Sequence, residues 1–175
     1  IEAILGEARF NLFYSEKARD LASYQLLLDM SYIEEGDSIG IIIDRDKHSF
    51  TEEQFDYVES VCKSNNYLLG ITNPCFELYL LLHLKDVCTL NLNEIKDNKK
   101  TGDDTYMTSC LKSSLQGSTC ENKNYEKSNY DSQFLVGLYS EAKNNFEKSN
   151  LKSDIRELKD NVGTSIFSIL DTFCP

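Results

Sequence analysis

The run SIGIIIDRD, residues 38–46, is the most informative part of the sequence for the fold. Four isoleucines lie within its first six residues, and Asp44, Arg45 and Asp46 follow them at once. A β-branched run that ends abruptly in polar residues is typical of a buried strand in a parallel sheet, since both faces of such a strand are covered. We therefore expect a buried parallel strand that ends at an acidic pair.

A helix is predicted directly after this pair. Its start is a capping box, formed either by Ser49 with Glu52 or by Thr51 with Gln54. The segment YLLGI, residues 67–71, then predicts a second buried strand. Strand, helix and strand in this order indicate a parallel sheet with helical crossovers.

The following helix is apolar on almost every side. We expect Asn73 to be its N-cap and Pro74 its first residue, in a helix that runs to Leu84 (PCFELYLLLHL). A helix of this composition is buried all round. The predicted fold class is therefore α/β, with a parallel sheet flanked by helices and a helical C-terminal part.

The remaining segments predict one further strand, several helices and a polar insertion. Residues 91–129 are rich in Lys, Asn, Ser, Gly and Asp, which predicts a variable surface excursion with short helices. Residues 131–173 predict C-terminal helices. Other expected elements are a strand at residues 9–14, a helix at 21–33 and a turn with a helix cap at 161–164. Residues 1–175 are expected to form a single domain.

Composition excludes several classes of protein. The net charge of −11 argues against a coat for duplex DNA, because such binding depends on Lys and Arg, but it allows carboxylates to hold a metal. Six cysteines without a C-x-x-C pair, and only two histidines, argue against a zinc finger and fit reduced thiols in the cytoplasm. No apolar run approaches the roughly 20 residues of a membrane helix, so no membrane partner is expected.

Asp44 and Asp46 are the first candidate functional residues. Residues two apart in an extended chain point the same way, so both carboxylates can face one site at the end of the strand. Two neighbouring carboxylates repel each other unless a cation lies between them. Their oxygen atoms are ligands that suit Mg²⁺ or Mn²⁺. The alternative is an Asp-rich turn that caps the next helix.

Other polar residues give weaker signals. Glu77 lies in the first turn of the apolar helix, where it is either a site residue or an acid stabilised by the helix dipole. His83 is either a catalytic residue or a hydrogen-bonded core histidine. Lys99 and Lys100, together with Arg45, are candidate substrate-binding residues, and the alternative for the two lysines is a solvated surface.

Two blocks of the chain resemble the RloB family. These are Ile43–Asp46 and Asn73–His83 (NPCFELYLLLH), since family members carry a D-x-D strand end and a nearly identical helix at this separation. Residues 99–106 and 161–170 are similar to weaker family features. The resemblance implies a Toprim-like fold, with Mg²⁺ on the Asp pair and cleavage of phosphodiester bonds in DNA or RNA. It also implies a role in bacterial restriction and anti-phage defence, with an ATPase of the same operon as a partner.

The chain departs from the family pattern at its start. The family's first motif is about E-G-x-T-E, whereas Ile1–Gly6 resembles the helix that follows that motif, and Glu2 does not match it. We therefore expect the first strand and its Glu to precede Ile1, which would leave this chain inactive or crippled. The alternative function is a non-catalytic adaptor or nucleotide-binding module of a defence complex.

Overall fold

The structure is a computed structural model that describes residues 38–47, 50–127 and 129–173. The strand predicted at residues 9–14, the helix predicted at 21–33, the segment 1–6 and the capping role of Ser49 lie outside these residues. Across the described ranges, no helix combines the length and the apolar character needed to cross a membrane.

A three-stranded mixed sheet forms the centre of the described chain. It consists of β1 (Gly40–Asp44), β2 (Leu68–Asn73) and β5 (Gly163–Thr164), with β2 in the middle. β1 pairs with β2 in parallel, and β5 pairs with β2 antiparallel. The two strands predicted from the isoleucine run and from YLLGI are thus confirmed, together with the α/β class.

The predicted parallel sheet is confirmed only for β1 and β2, because β5 runs antiparallel to β2. Residues 161–164 were expected to form only a turn and a cap. β5 is only two residues long, which is too short to show the alternation of apolar and polar residues by which a strand is predicted from sequence. The Thr164 hydroxyl accepts a hydrogen bond from the Ile166 backbone N–H at 3.2 Å, which closes a local turn before the last helix.

The other elements surround this sheet. A separate hairpin is formed by β3 (Lys100–Thr101) and β4 (Asp104–Thr105). The described helices are α1 (Glu52–Asn65), α2 (Phe76–Leu82), α3 (Leu92–Asp97), α4 (Tyr106–Gly117), α5 (Ser132–Gly137), α6 (Tyr139–Lys148), α7 (Ile155–Leu158) and α8 (Ile166–Phe173). A single 3-10 turn, Val87–Thr89, joins α2 to α3.

Helix α1 begins at the capping box formed by Thr51 and Gln54. The Thr51 N–H donates to Gln54 Oε1 at 2.8 Å, and the Gln54 N–H donates to Thr51 Oγ1 at 3.3 Å.

The start predicted for the next helix was wrong: Cys75 is the N-cap residue of α2, and the helix ends at Leu82. Asn73 is instead the last residue of β2, where its amide donates to the Leu158 carbonyl at 2.8 Å.

Two apolar layers cover the two faces of the sheet. On one face, α1 and α7 pack against the odd-numbered residues of β1 and β2; this layer contains Ile43, Phe55, Val58, Cys62, Ile71 and Leu158. On the other face lie α2, α4 and α8, with Leu78, Leu81, Leu82, Met107, Leu111, Ile166 and Leu170. Helix α2 is therefore buried, as its composition predicts.

The surface excursion predicted for residues 91–129 requires correction. Ile95, Met107 and Leu111 are fully buried in the same apolar cluster as α2, so α3 and α4 belong to the folded body. Their apolar residues are spaced widely among polar ones, which hides the buried faces in the sequence. The C-terminal helices predicted for residues 131–173 are present as α5 to α8.

Candidate functional site

An open cleft of about 390 Å³ lies where β1 ends and α2 begins. Its acidic lining residues are Asp44, Asp46, Glu77 and Asp97. Its basic lining residues are Arg45, Lys47, Lys96, Lys99, Lys100 and Lys127. The structure therefore brings most of the predicted site residues to one place.

Asp44 is positioned by the strand and by the start of the helix. It pairs in register with Thr72 of β2, and the Phe76 backbone N–H donates a hydrogen bond to its carboxylate. Burial, assisted by the nearby Glu77 carboxylate, raises the pKa of Asp44 to about 7. A carboxyl group with this pKa exchanges its proton near neutral pH, which is unusual for aspartate.

Asp46 lies on the same wall of the cleft, two residues beyond Asp44. Its negative charge contributes to the raised pKa of Asp44, which shows that the two carboxylates are close enough to interact. Both members of the predicted pair therefore line the same cleft.

Arg45 turns to the opposite face of the sheet. Its guanidinium lies 5.4 Å from the centre of the Phe55 ring, and Nη1 donates to the Phe50 carbonyl. The side chain is 1% exposed, and its Nε has no hydrogen-bond partner within the described residues. Arg45 was predicted to bind substrate, but its head group packs beneath α1 because side chains alternate along a strand.

Glu77 is a buried carboxylate held by several donors. It is only 2% exposed, and both the Cys75 thiol and the Tyr125 hydroxyl are hydrogen-bonded to it. The Lys127 ammonium approaches to 3.7 Å from Glu77 Oε1. These contacts compensate for burying the charge, as burial of an acid requires.

Asn98 connects this group to the neighbouring helices. It is the C-cap of α3, in the left-handed region with φ 38°. Its amide donates to Cys75 Sγ at 3.5 Å, and its carbonyl accepts from the Met107 backbone N–H at 2.9 Å. Through Cys75, the junction between α3 and α4 therefore helps to fix the position of Glu77.

The predicted basic residues lie at the rim of the cleft. Lys100 belongs to β3, and Lys99 precedes it and forms an ion pair with Asp97 at 3.6 Å. The Lys99 side chain is 82% exposed, so it can be redirected at little cost. Lys47, on the other side, is paired with Asp160 at 2.7 Å.

His83 does not line this cleft. It is 4% exposed at the end of α2, where Nδ1 lies 3.0 Å from the Tyr79 carbonyl and the ring packs edge-on against the Tyr79 ring at 4.8 Å. Burial lowers the pKa of His83, which keeps the ring neutral at pH 7. The geometry corresponds to the core histidine, not to the catalytic alternative.

Sequence reasoning missed Tyr125 and Lys127. Both lie in a polar segment without periodicity, so no pattern indicates that they reach the start of α2. Cys75 was included in the NPCFEL block, but its contact with the carboxylate depends on the turn between β2 and α2. These residues become neighbours only through tertiary packing.

The donor atoms of the cleft suit a hard cation, although the donor set is small. Within residues 38–47, 50–127 and 129–173, no group of three or more His, Cys, Asp or Glu is arranged to hold a metal ion. Asp44 and Asp46 supply carboxylate oxygens, and their mutual repulsion favours a cation. Mg²⁺ keeps several waters and is often held by only one or two carboxylates, so this pair fits it.

The fold and the cleft define an α/β domain with acidic residues at the end of β1. The sequence model of the family described as RloB-like protein matches residues 12–172. The match covers nearly the whole chain, and the chain therefore belongs to the RloB-like family. No significant match was found among curated proteins or among solved structures.

Proposed function

We propose that this chain carries the catalytic cleft of a Mg²⁺-dependent nuclease with a Toprim-like arrangement of its acidic residues. The observation that carries the proposal is the convergence of Asp44, Asp46 and Glu77 in one cleft with lysines at its rim. Acids at the floor and cations at the edge suit a phosphodiester, whose charge must be neutralised during attack.

Asp44 and Asp46 are the proposed ligands of the cation. When bound there, Mg²⁺ (or Mn²⁺) would polarise a phosphoryl oxygen and lower the pKa of a coordinated water. Because the pKa of Asp44 is about 7, the carboxyl gives up a proton to bind a cation near neutral pH.

Glu77 is the proposed acid or base. Its carboxylate is oriented by the Tyr125 hydroxyl and the Cys75 thiol, so its free oxygen positions are restricted in direction. Lys99 and Lys100 at the rim are proposed to hold the phosphates that flank the scissile bond. We assign no catalytic step to His83 or to the Arg45 guanidinium.

Hydrolysis of labelled single-stranded DNA and RNA, with Mg²⁺ or with a chelator, tests this function. Asp44→Asn should lower the rate about 100-fold, the size of an effect of about 3 kcal/mol on the barrier. Glu53→Gln, a surface acid in the first turn of α1, is the charge-matched control and should keep the rate. Cleavage that persists in the chelator, or an unchanged rate in Asp44→Asn, would contradict the proposal.

A second candidate is an adaptor that binds a nucleotide or an ATPase of the same defence system without catalysis. The adaptor is favoured by the small number of metal ligands in the cleft, since the described residues contain no group of three or more His, Cys, Asp or Glu that could hold a metal ion. An adaptor of this kind would retain binding of a nucleotide or partner after Asp44→Asn and would show no hydrolysis. The same two variants therefore separate the two functions.

A further inference from the structure

The acids of the cleft are faced by one lysine that comes from a distant part of the chain. Lys127 lines the cleft and lies 3.7 Å from Glu77 Oε1. Burial alone lowers the pKa of this ammonium, but Glu77 and Asp44 outweigh burial and raise it. Lys127 is therefore a cation that pairs with Glu77 and interacts electrostatically with Asp44, a proposed ligand of the divalent ion.

The backbone places Lys127 at the tip of a short turn. Glu126 and Asn129 pair with each other through two backbone hydrogen bonds, of 3.1 and 2.9 Å, and thus close a turn that contains Lys127. Tyr125, next to this turn, is 6% exposed, packs against the Tyr130 ring at 5.6 Å and is hydrogen-bonded to Glu77. The position of Lys127 is therefore fixed by its neighbours, not by its own side chain.

The Lys127 side chain itself remains free to leave. It is 78% exposed, whereas the Glu77 side chain is 3% exposed. An exposed lysine forms weak ion pairs and retains most of its rotamer freedom, so separation from Glu77 costs little on the lysine side. The buried carboxylate, in contrast, gains a great deal from a nearby positive charge.

We propose that Lys127 is an exchangeable counter-cation, which neutralises the acidic cleft until a divalent cation displaces it and which thereby sets the cation affinity of the site. This inference rests on the proposed function, because it takes Asp44 and Asp46 as the place where the divalent cation binds. Once displaced, the ammonium lies at the rim beside Lys99 and Lys100, where it can contact a phosphate of the substrate.

Lys127→Met removes the competing charge without leaving a cavity, because the side chain is mostly exposed. Calorimetric titration with Mn²⁺ at low salt should show about tenfold tighter binding than in the wild type, since the ammonium no longer repels the incoming ion. Lys127→Arg keeps the charge and should bind Mn²⁺ within about twofold of the wild type. Lys63→Met, which removes a lysine paired with Glu59 on α1, controls for net charge and should leave the affinity unchanged.

A second measurement tests the exchange itself. In a titration with Mg²⁺, the NMR signals of the Lys127 side chain should shift as the ion pair with Glu77 opens, and those of Lys63 should not. If the wild type binds Mn²⁺ and Lys127→Met binds it equally or more weakly, the exchange is wrong while the cation site stands. If neither protein binds Mn²⁺, the cation site and the exchange both fail. Binding by Lys127→Met alone would support the exchange.

Discussion

Lys127 and Glu77 form an ion pair between an exposed ammonium and a buried carboxylate, at 3.7 Å. The two residues are separated by fifty positions, and the pair joins the segment after α4 to the first turn of α2. Because Asp44 lies beside the same carboxylate, its protonation depends on this pair as well as on burial. The electrostatics of the cleft are thus determined by contacts that cross most of the described chain.

Asp44→Asn should change how stability depends on pH when no divalent cation is present. The carboxyl has a pKa of 3.8 in an unfolded chain and about 7 in the fold, so the folded protein binds the extra proton between these values. Folded wild type is therefore favoured at low pH, and it loses stability as pH rises from about 4 to about 7. Urea unfolding at pH 5 and pH 8 should show this loss reduced in Asp44→Asn by on the order of 2 kcal/mol.

The matched control for that comparison is Glu53→Gln, which removes an acid from the surface of α1. It should retain the wild-type loss of stability between the two pH values. If Asp44→Asn lost as much stability between pH 5 and pH 8 as the wild type does, the Asp44 carboxyl of the folded wild type would be ionised already at pH 5. The description of the cleft would then be wrong.

Arg45→Lys should destabilise the fold and leave binding of Mn²⁺ unchanged. The guanidinium stacks over Phe55 and donates to the Phe50 carbonyl, and a lysine cannot reproduce both contacts. The expected loss is about 2 kcal/mol in the free energy of unfolding. If Arg45→Lys instead bound Mn²⁺ more weakly and kept the stability of the wild type, Arg45 would be a residue of the binding site.

His83→Gln distinguishes a core histidine from a catalytic one. The substitution removes the packing against Tyr79 and should cost about 1–3 kcal/mol of stability. Mn²⁺ affinity and the hydrolysis rate of the folded variant should match those of the wild type. A variant that folds as stably as the wild type but loses hydrolysis would show that His83 acts in the reaction.

Gly163→Ala should be among the most destabilising substitutions in the sheet. A Cβ at this position would lie 2.0 Å from the Lys152 carbonyl oxygen, which accepts the Thr164 N–H at 2.9 Å. The backbone has to move, so the segment at Lys152 should separate from β5, and we expect a loss above about 3 kcal/mol in thermal or urea unfolding. Gly137→Ala, with nothing within 4 Å of the added Cβ, is the matched control. Equal stability of the two variants would exclude the close approach at β5.

The central part of the fold could be predicted because its signals are local. The isoleucine run of β1, the capping box at Thr51 and the apolar helix after Asn73 each depend on adjacent residues. Their order along the chain was enough to place Asp44 and Asp46 at a strand end. Parallel pairing of β1 with β2 follows from the same order.

The remainder depends on contacts between distant segments. β5 is defined by its pairing with Thr72 and Asn73, not by its own two residues. Arg45 was assigned to the substrate from its charge, although the alternation of side chains along a strand places its head group on the face opposite the two acids. Lys127 carries no pattern of its own, and only the packing of Tyr125 shows that it reaches Glu77.

The most direct test of the central claim is a calorimetric titration of the chain with Mn²⁺ at low salt. The wild type is compared with the double variant Asp44→Asn, Asp46→Asn and with Glu52→Gln, Glu53→Gln, which removes two adjacent acids from the first turn of α1. We predict that the wild type and the α1 variant bind one Mn²⁺ per chain and that binding is lost in the cleft variant. Equal binding by all three proteins would contradict the account, and so would absence of binding by both the wild type and Lys127→Met.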